Sequence, residues 1–143
     1  MREILFRAKA INRNKGYHRT KYKNGDWVYG LITKLYDERF ENLPAEMTNE
    51  YGVSGIDIDH KTIGQYTGLT DKNGQKIFEG DIISCYSPFG QNDFRNKIIG
   101  WSETFLSWMA ENEPLYGDKQ QTYEVVGNIH DNPELLKGAT SDA

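Results

Sequence analysis

The chain of 143 residues carries a formal net charge of −4 and a single cysteine, Cys85. This acidic balance argues against a polyanion as the default partner, because non-specific nucleic-acid binding relies on basic surface. One cysteine cannot form an intrachain disulfide, and the apolar runs are too short to cross a bilayer, so we expect a protein of the reducing cytoplasm without membrane contact.

Aromatic residues make up 13% of the chain, and its 14 glycines are scattered rather than repeated. Both features favour many short strands and turns over long helices. We therefore predict a mainly β fold of bent antiparallel sheets in a single domain over residues 1–143. Within it we expect an N-terminal β subdomain at 1–61, a second half at 62–137 and a disordered tail at 138–143.

Three strands are predicted in the first half of the chain. In the first of them apolar and charged residues alternate, so that Ile4, Phe6, Ala8 and Ala10 share one face. The second has apolar groups on both faces and is therefore predicted to be central. The three strands occupy residues 2–11, 25–34 and 51–59, and residues 35–50 are left open between a strand end, a loop and a helical turn.

The clearest local pattern is a turn within residues 63–83. Asp71 suits the first position of a type I turn, Asn73 the third and Gly74 the fourth, where glycine adopts positive φ without a Cβ clash. This pattern predicts a β-hairpin with a glycine bulge. The segment is expected to organise the strands around it.

The pairing of this hairpin has two possible registers. With the type I turn, Thr70 faces Lys76 and Leu69 faces Ile77, which places an apolar pair on one face. A two-residue turn would set Leu69 against Phe78 instead, since Asn-Gly is also a strong two-residue hairpin signal. The first register is preferred because it places the turn residues where they are favoured.

The second half of the chain predicts further strands and a short C-terminal helix. A Gly80-Asp81 pair leads into a strand in the same way that Gly25-Asp26 does near the start. Asn132 fits a helix cap followed by proline at the first helical position. Strands are predicted at residues 82–86, 97–101, 105–110 and 122–129, with a short helix at 105–113 as the alternative, and we expect 62–129 to form an SH3-like small barrel.

Three blocks of sequence resemble the YopX family of temperate phages and prophages. They are REILFRA at residues 2–8, IGQYTGLTDKNGQKIFEGDII at 63–83 and YEVVGNIHDNPELL at 123–136. The resemblance implies a mainly β fold, a tendency to self-associate and no established activity or catalytic residues. The candidate structural motif of the central block is Gln65, Tyr66, Thr67, Gly68, Asp71, Asn73, Gly74, Gly80 and Asp81.

Basic and aromatic residues cluster near the N-terminus, where Arg7 and Lys9 lead into an Asn- and Lys-rich segment. Lysine and arginine would bind phosphates there, and tyrosine rings would stack on exposed bases. A charge run between two strands is more often a solvated loop. The candidate nucleic-acid contacts are Arg13, Lys15, Tyr17, Arg19, Lys21, Tyr22 and Lys23.

No arrangement of residues in the sequence indicates catalysis, a cofactor or a metal. Asp57, Asp59 and His60 could meet at a strand end, but alternating aspartates on a strand usually form a solvated face. Cys85 lies in an apolar strand, where cysteines are mostly inert packing residues. We also expect Trp27 and Trp101 to lie in the core.

The remaining aromatic residues suggest an interaction surface, because a chain of this size cannot bury all of them. Together with the resemblance, which implies a phage or prophage origin, this surface predicts a phage-encoded accessory protein that acts without catalysis. It would bind as a homo-oligomer, with a host or phage protein as a further possible partner. The alternative is a nucleic-acid-binding regulator that uses the cluster at residues 7–23.

Overall fold

The structure, a computed structural model, describes residues 3–12, 22–36, 44–88, 90 and 93–136. Strands dominate these residues, with 3-10 helices at His60–Thr62 and Gly117–Thr122 and a helical turn at 134–136. The strands are β1 (Phe6–Lys9), β2 (Trp27–Lys34), β3 (Ala45–Asn49), β4 (Ile56–Ile58), β5 (Gly64–Thr70), β6 (Lys76–Phe78), β7 (Asp81–Cys85), β8 (Phe94–Ser102), β9 (Ser107–Ala110), β10 (Glu113–Pro114) and β11 (Tyr123–Asn128).

These strands form two antiparallel sheets. One has six strands in the order β4-β3-β2-β1-β5-β6, and the other has five in the order β10-β9-β8-β7-β11. The mainly β prediction is confirmed. In each sheet the two outermost strands of the order do not pair with each other, so neither sheet closes, and the predicted SH3-like barrel is not confirmed.

The chain consists of two compact units, Met1–Gln65 and Tyr66–Ala143. The boundary falls inside β5, after its second residue. The sequence placed a subdomain boundary earlier, after residue 61. Each unit has a hydrophobic cluster of its own.

The core of the first unit comes from alternating apolar positions on β1 to β4. Val28 on β2, Met47 on β3 and Ile58 on β4 are all fully buried there. Strand β2 lies between β1 and β3, which confirms its predicted central position. The undecided stretch at 35–50 contains β3, and its residues 37–43 lie outside the described residues.

The N-terminal strand differs from its prediction in extent and in one buried residue. It begins at Phe6, so the alternation does not extend back to Ile4, which is 62% exposed, whereas the neighbouring Leu5 is buried. Arg7 was expected on a charged outer face but is buried. Its guanidinium carbon lies 4.4 Å from the ring centroid of Trp27, which is half-buried rather than fully in the core.

The core of the second unit joins β6, β7, β8, β9 and β11. Its buried members are Ile77, Ile83, Cys85, Ile99, Ala110 and Tyr123. Strands β8 and β9 pair antiparallel, so the predicted hairpin is confirmed and the helical alternative for 105–113 is wrong. Trp101 was expected in the core but is 41% exposed, because it lies near the hairpin end, beyond the buried part of β8.

The C-terminal prediction is partly confirmed. The backbone N–H of Leu135 donates to the carbonyl oxygen of Asn132, which opens a helical turn at 134–136. The predicted tail at 138–143 lies outside the described residues. No helix in the described part of the chain is long and apolar enough to cross a membrane.

The two Gly-Asp pairs adopt the same local structure. Gly25 and Gly80 both have φ of 88°, where glycine is favoured. In each case the aspartate carboxylate accepts a hydrogen bond from the backbone N–H three residues earlier, at 2.9 Å for Asp26 and 2.7 Å for Asp81. One turn-to-strand device therefore occurs twice, exposed in the first unit and buried in the second.

This pair predicts a difference in stability that follows the burial of the two aspartates. We expect Asp81→Ala to lower the free energy of unfolding by about 2 kcal/mol, because the buried backbone N–H of Phe78 loses the carboxylate that accepts from it. The matched change Asp26→Ala should cost less than about 1 kcal/mol, because water replaces the carboxylate. Urea unfolding followed by circular dichroism measures both, and equal losses would contradict the assignment.

Candidate functional site

The organising hairpin has the predicted turn. The backbone N–H of Gly74 donates to the Asp71 carbonyl oxygen at 3.0 Å, and Gly74 has φ of 79°. Thr70 pairs with Lys76, which confirms the preferred register next to the turn. The expected Leu69–Ile77 pair is absent from the register of these described strands, because the pairing shifts between Tyr66 and Thr70.

That shift is produced by a glycine and a threonine. Gly68 has φ of 92°, a conformation that is open to glycine and that bulges the strand. The Thr67 hydroxyl donates to the Ile77 carbonyl oxygen at 2.8 Å and accepts from the Leu69 N–H at 3.2 Å. The side chain therefore supplies the hydrogen bonds that the interrupted ladder lacks.

The Asp71 carboxylate is the buried centre of this region, with only 2% of the residue exposed. One oxygen accepts from the backbone N–H groups of Asn73 and Gln75, each at 2.9 Å. The other accepts from the N–H of Val125 at 3.0 Å. The turn is thereby held to β11, and the Lys72 N–H donates to the Tyr123 carbonyl oxygen beside it.

The other motif residues also contribute to the strands and turns of this region. Gln65 pairs with Phe6, and the Tyr66 ring lies 5.6 Å from the Phe78 ring, centroid to centroid. Gly80 and Asp81 form the turn into β7 described above. The nine motif positions therefore shape the strands and turns at 64–81.

The basic cluster is described only in part. Arg13, Lys15, Tyr17, Arg19 and Lys21 lie outside the described residues. The Tyr22 ring packs on the first unit's core, and its hydroxyl accepts from Asn49 Nδ2 at 3.1 Å, whereas the Lys23 backbone N–H donates to Asp26. Nucleic-acid contact by this cluster stays a prediction.

A cleft of about 550 Å³ opens beside the end of β11. The Tyr123 hydroxyl in its wall accepts from the Tyr116 backbone N–H at 3.0 Å, and burial raises the pKa of Tyr123. The Cys85 sulfur lies 3.4 Å from the Thr122 hydroxyl, which donates to the Lys119 carbonyl oxygen. None of the described lining residues is a histidine, the base that most often activates a cysteine thiol.

The candidate metal ligands Asp57, Asp59 and His60 lie around the start of a 3-10 helix. Asp59 caps the 3-10 helix at His60–Thr62 by accepting from the Lys61 backbone N–H at 3.0 Å. Across the part of the chain that the structure describes, no three His, Cys, Asp or Glu side chains form a group that could hold a metal ion.

The most exposed large apolar side chains in the described part of the second unit lie at the end of the β8–β9 hairpin, residues 103–106, here called the tip. Phe105 is 69% exposed and Leu106 is 71% exposed. Leu106 also has φ of 50°, a conformation that costs a branched residue about 1 kcal/mol and that glycine or asparagine adopts readily. The Ser102 hydroxyl oxygen accepts from the Phe105 N–H at 3.1 Å and fixes the turn.

A second cleft, of about 620 Å³, lies against the tip and is here called the outer cleft. Beside the tip, the Trp101 and Trp108 rings pack edge to face with centroids 5.2 Å apart. The residues lining the outer cleft are Ile98, Gly100, Trp101, Ser102, Thr104, Phe105, Met109, Glu111 and Asn112.

Sequence reasoning identified an aromatic surplus but not the tip that displays it. The signal was present, since Phe105 and Leu106 are consecutive apolar residues in a stretch that must turn between two strands. Turns are usually polar and rich in glycine. Assigning both residues to the start of the following strand concealed the anomaly.

Comparisons with known proteins give a family and a similar solved structure. The family model described as YopX protein matches residues 5–137. The chain is similar to the crystal structure of protein EF1440 from Enterococcus faecalis, with 26% identity, a TM-score of 0.53, and coverage of 95% of this chain and 99% of that chain. A search of curated proteins gave no match.

Proposed function

Because this chain belongs to the YopX family, whose function is not characterised, we propose that it is a non-catalytic, self-associating interaction module. The observation that carries the proposal is the tip, where two large apolar side chains are exposed together. A leucine held at positive φ on the surface costs folding free energy through backbone strain and gains almost none from burial. Burial of the tip against another chain supplies that gain.

The partner we propose is a second copy of the chain. Each copy carries a net charge of −4, so two copies attract each other only where an apolar surface outweighs this repulsion. The tip offers such a surface, with Glu103 as its only charged residue. Phe105 and the edge-to-face Trp101–Trp108 pair provide aromatic area of the kind that dominates protein interfaces.

The biological setting belongs to the same proposal. The resemblance of three sequence blocks to proteins of temperate phages supports a phage-encoded or prophage-encoded accessory protein in the bacterial cytoplasm. A host or phage protein would then bind to the assembled oligomer.

Leu106→Asn tests the proposal. Asparagine tolerates positive φ, so we expect the folded monomer to be as stable as the wild type, or up to about 1 kcal/mol more stable. Association should weaken roughly 100-fold, because a symmetric dimer loses two buried leucine side chains of about 1.5 kcal/mol each. Sedimentation velocity over a concentration series measures the association.

Leu35→Asn is the matched control, because Leu35 lies in the first unit and is 65% exposed. We expect it to associate as the wild type does. A wild-type chain that stays monomeric up to millimolar concentration would refute the proposal, as would equal weakening by the two leucine variants.

A further inference from the structure

The outer cleft has a gap in its floor at Gly100. This residue pairs with Met109 across the hairpin, on the face opposite to the buried Ile99. A Cβ atom built at Gly100 would meet no atom within 4 Å, so the missing side chain leaves open space rather than room for a neighbour within the chain. Glycine weakens a strand unless something approaches its backbone closely.

The charge of the outer cleft is locally balanced. Glu111 is the one ionisable side chain among the described residues lining it. One of its carboxylate oxygens accepts from the Ile98 backbone N–H at 3.1 Å, and the other lies 4.0 Å from the Lys97 ammonium nitrogen. An occupant therefore needs apolar surface rather than a matching charge, and a strongly charged peptide would find no partner there.

The tip supplies such an occupant. Leu106 projects from the end of the same hairpin that carries the gap at Gly100. A protruding group and a recess at different positions of one element are complementary between two copies related by a two-fold axis, because each contact then occurs twice. Such a contact closes with two copies and leaves no unfilled recess.

Resting on the proposed self-association, we propose that the β8–β9 hairpins of two copies pack reciprocally, with Leu106 of each copy seated over Gly100 in the outer cleft of the other. This arrangement gives the positive φ of Leu106 a role, because that conformation directs a large side chain out of the turn. The arrangement also accounts for glycine at position 100, because any Cβ atom there would occupy the recess.

The first test fills the recess. Gly100→Thr introduces a branched side chain whose Cβ atom meets no atom within 4 Å and which suits a strand, so the variant should fold as well as the wild type. Its dissociation constant for self-association should rise roughly 100-fold, as for Leu106→Asn, because both recesses of a dimer are blocked and neither leucine is buried. Circular dichroism and urea unfolding confirm folding, and sedimentation velocity measures the association.

The second test mixes two defective chains. Leu106→Asn keeps an open recess but has no protruding leucine, whereas Gly100→Thr keeps the leucine but has no recess. Mixed together, one of the two contacts can form, so we expect a heterodimer that is tighter than either variant's homodimer. Native mass spectrometry identifies it when one variant carries a short mass tag.

The outcomes separate this inference from the proposed function. If Gly100→Thr associates as tightly as the wild type, the reciprocal arrangement is wrong while self-association stands. If the mixture forms no heterodimer in excess of the homodimers, identical residues of the two copies pack against each other. The reciprocal arrangement is then again wrong. A monomeric wild type would remove the proposed function itself.

Discussion

Asp71→Ala is expected to lower the free energy of unfolding by about 3 kcal/mol, because a buried carboxylate that accepts from three backbone N–H groups is removed. The N–H groups of Asn73 and Gln75 lie in an exposed turn and regain water. The N–H of Val125 on β11 is partly buried and regains less. The turn also loses the connection to β11 that the Asp71 side chain makes, while the backbone bond from the Lys72 N–H to the Tyr123 carbonyl oxygen remains.

Asp71→Asn separates the hydrogen bonds from the charge. Its amide oxygen can still accept from Asn73 and Gln75, but its amide nitrogen would face the N–H of Val125, donor against donor. We therefore expect an intermediate loss of about 1.5–2 kcal/mol. Urea unfolding followed by circular dichroism gives both values, and a loss below about 1 kcal/mol for Asp71→Ala would show that the hairpin does not organise the second unit.

Gly30→Ala should destabilise the first unit by about 3 kcal/mol or more. Gly30 lies on the central strand β2, opposite Asn49 of β3. A Cβ there would overlap the carbonyl oxygen of Thr48 and lie 2.8 Å from the Cα of Asn49. Both atoms belong to backbone, which cannot rotate away as a side chain does, so β3 must shift along its length.

The control for that change is Gly100→Ala, which adds the same methyl group to a strand in open space. We expect its free energy of unfolding to stay within about 0.5 kcal/mol of the wild type, or to rise slightly. Thermal and urea unfolding of the two variants side by side test the comparison. If Gly30→Ala were as stable as Gly100→Ala, the close approach of β2 and β3 would be wrong.

Local patterns predicted the strands and turns of this fold well. The type I turn at Asp71 follows from preferences that act within four residues, whereas the same kind of pattern left the segment of β9 open between a hairpin strand and a short helix. The Gly-Asp device at Gly25 and Gly80 is equally local. Such features are readable because each residue satisfies its own backbone requirement.

Closure of the sheets into a barrel could not be predicted from such local patterns. It depends on pairing between strands distant in sequence, and the strands at the edges of each sheet are as short as three residues in β6 and two in β10. The predicted alternation of buried and exposed side chains also failed at Ile4. Such alternation holds only where a strand is paired with a neighbouring strand. The register shift at Gly68 was hidden for a similar reason, because a bulge moves the pairing without changing the apolar pattern.

The candidate surface was predictable in kind but not in place. Composition indicated more aromatic residues than a core of this size holds, and the exposure of Phe105 agrees with this, whereas Trp101 was expected in the core and is also exposed. Their location required the backbone, because only the φ of Leu106 shows that an apolar side chain is held out of a turn. The open space at Gly100 likewise can be recognised only from the positions of neighbouring atoms, because a glycine in the sequence does not reveal it.

The most direct test of self-association through the tip is sedimentation velocity of the wild-type chain beside Leu106→Asn, from micromolar to millimolar concentration. The wild type should shift from monomer to dimer as concentration rises, while the variant remains monomeric at concentrations where the wild type is paired. Identical sedimentation of the two chains across the whole range would contradict the account.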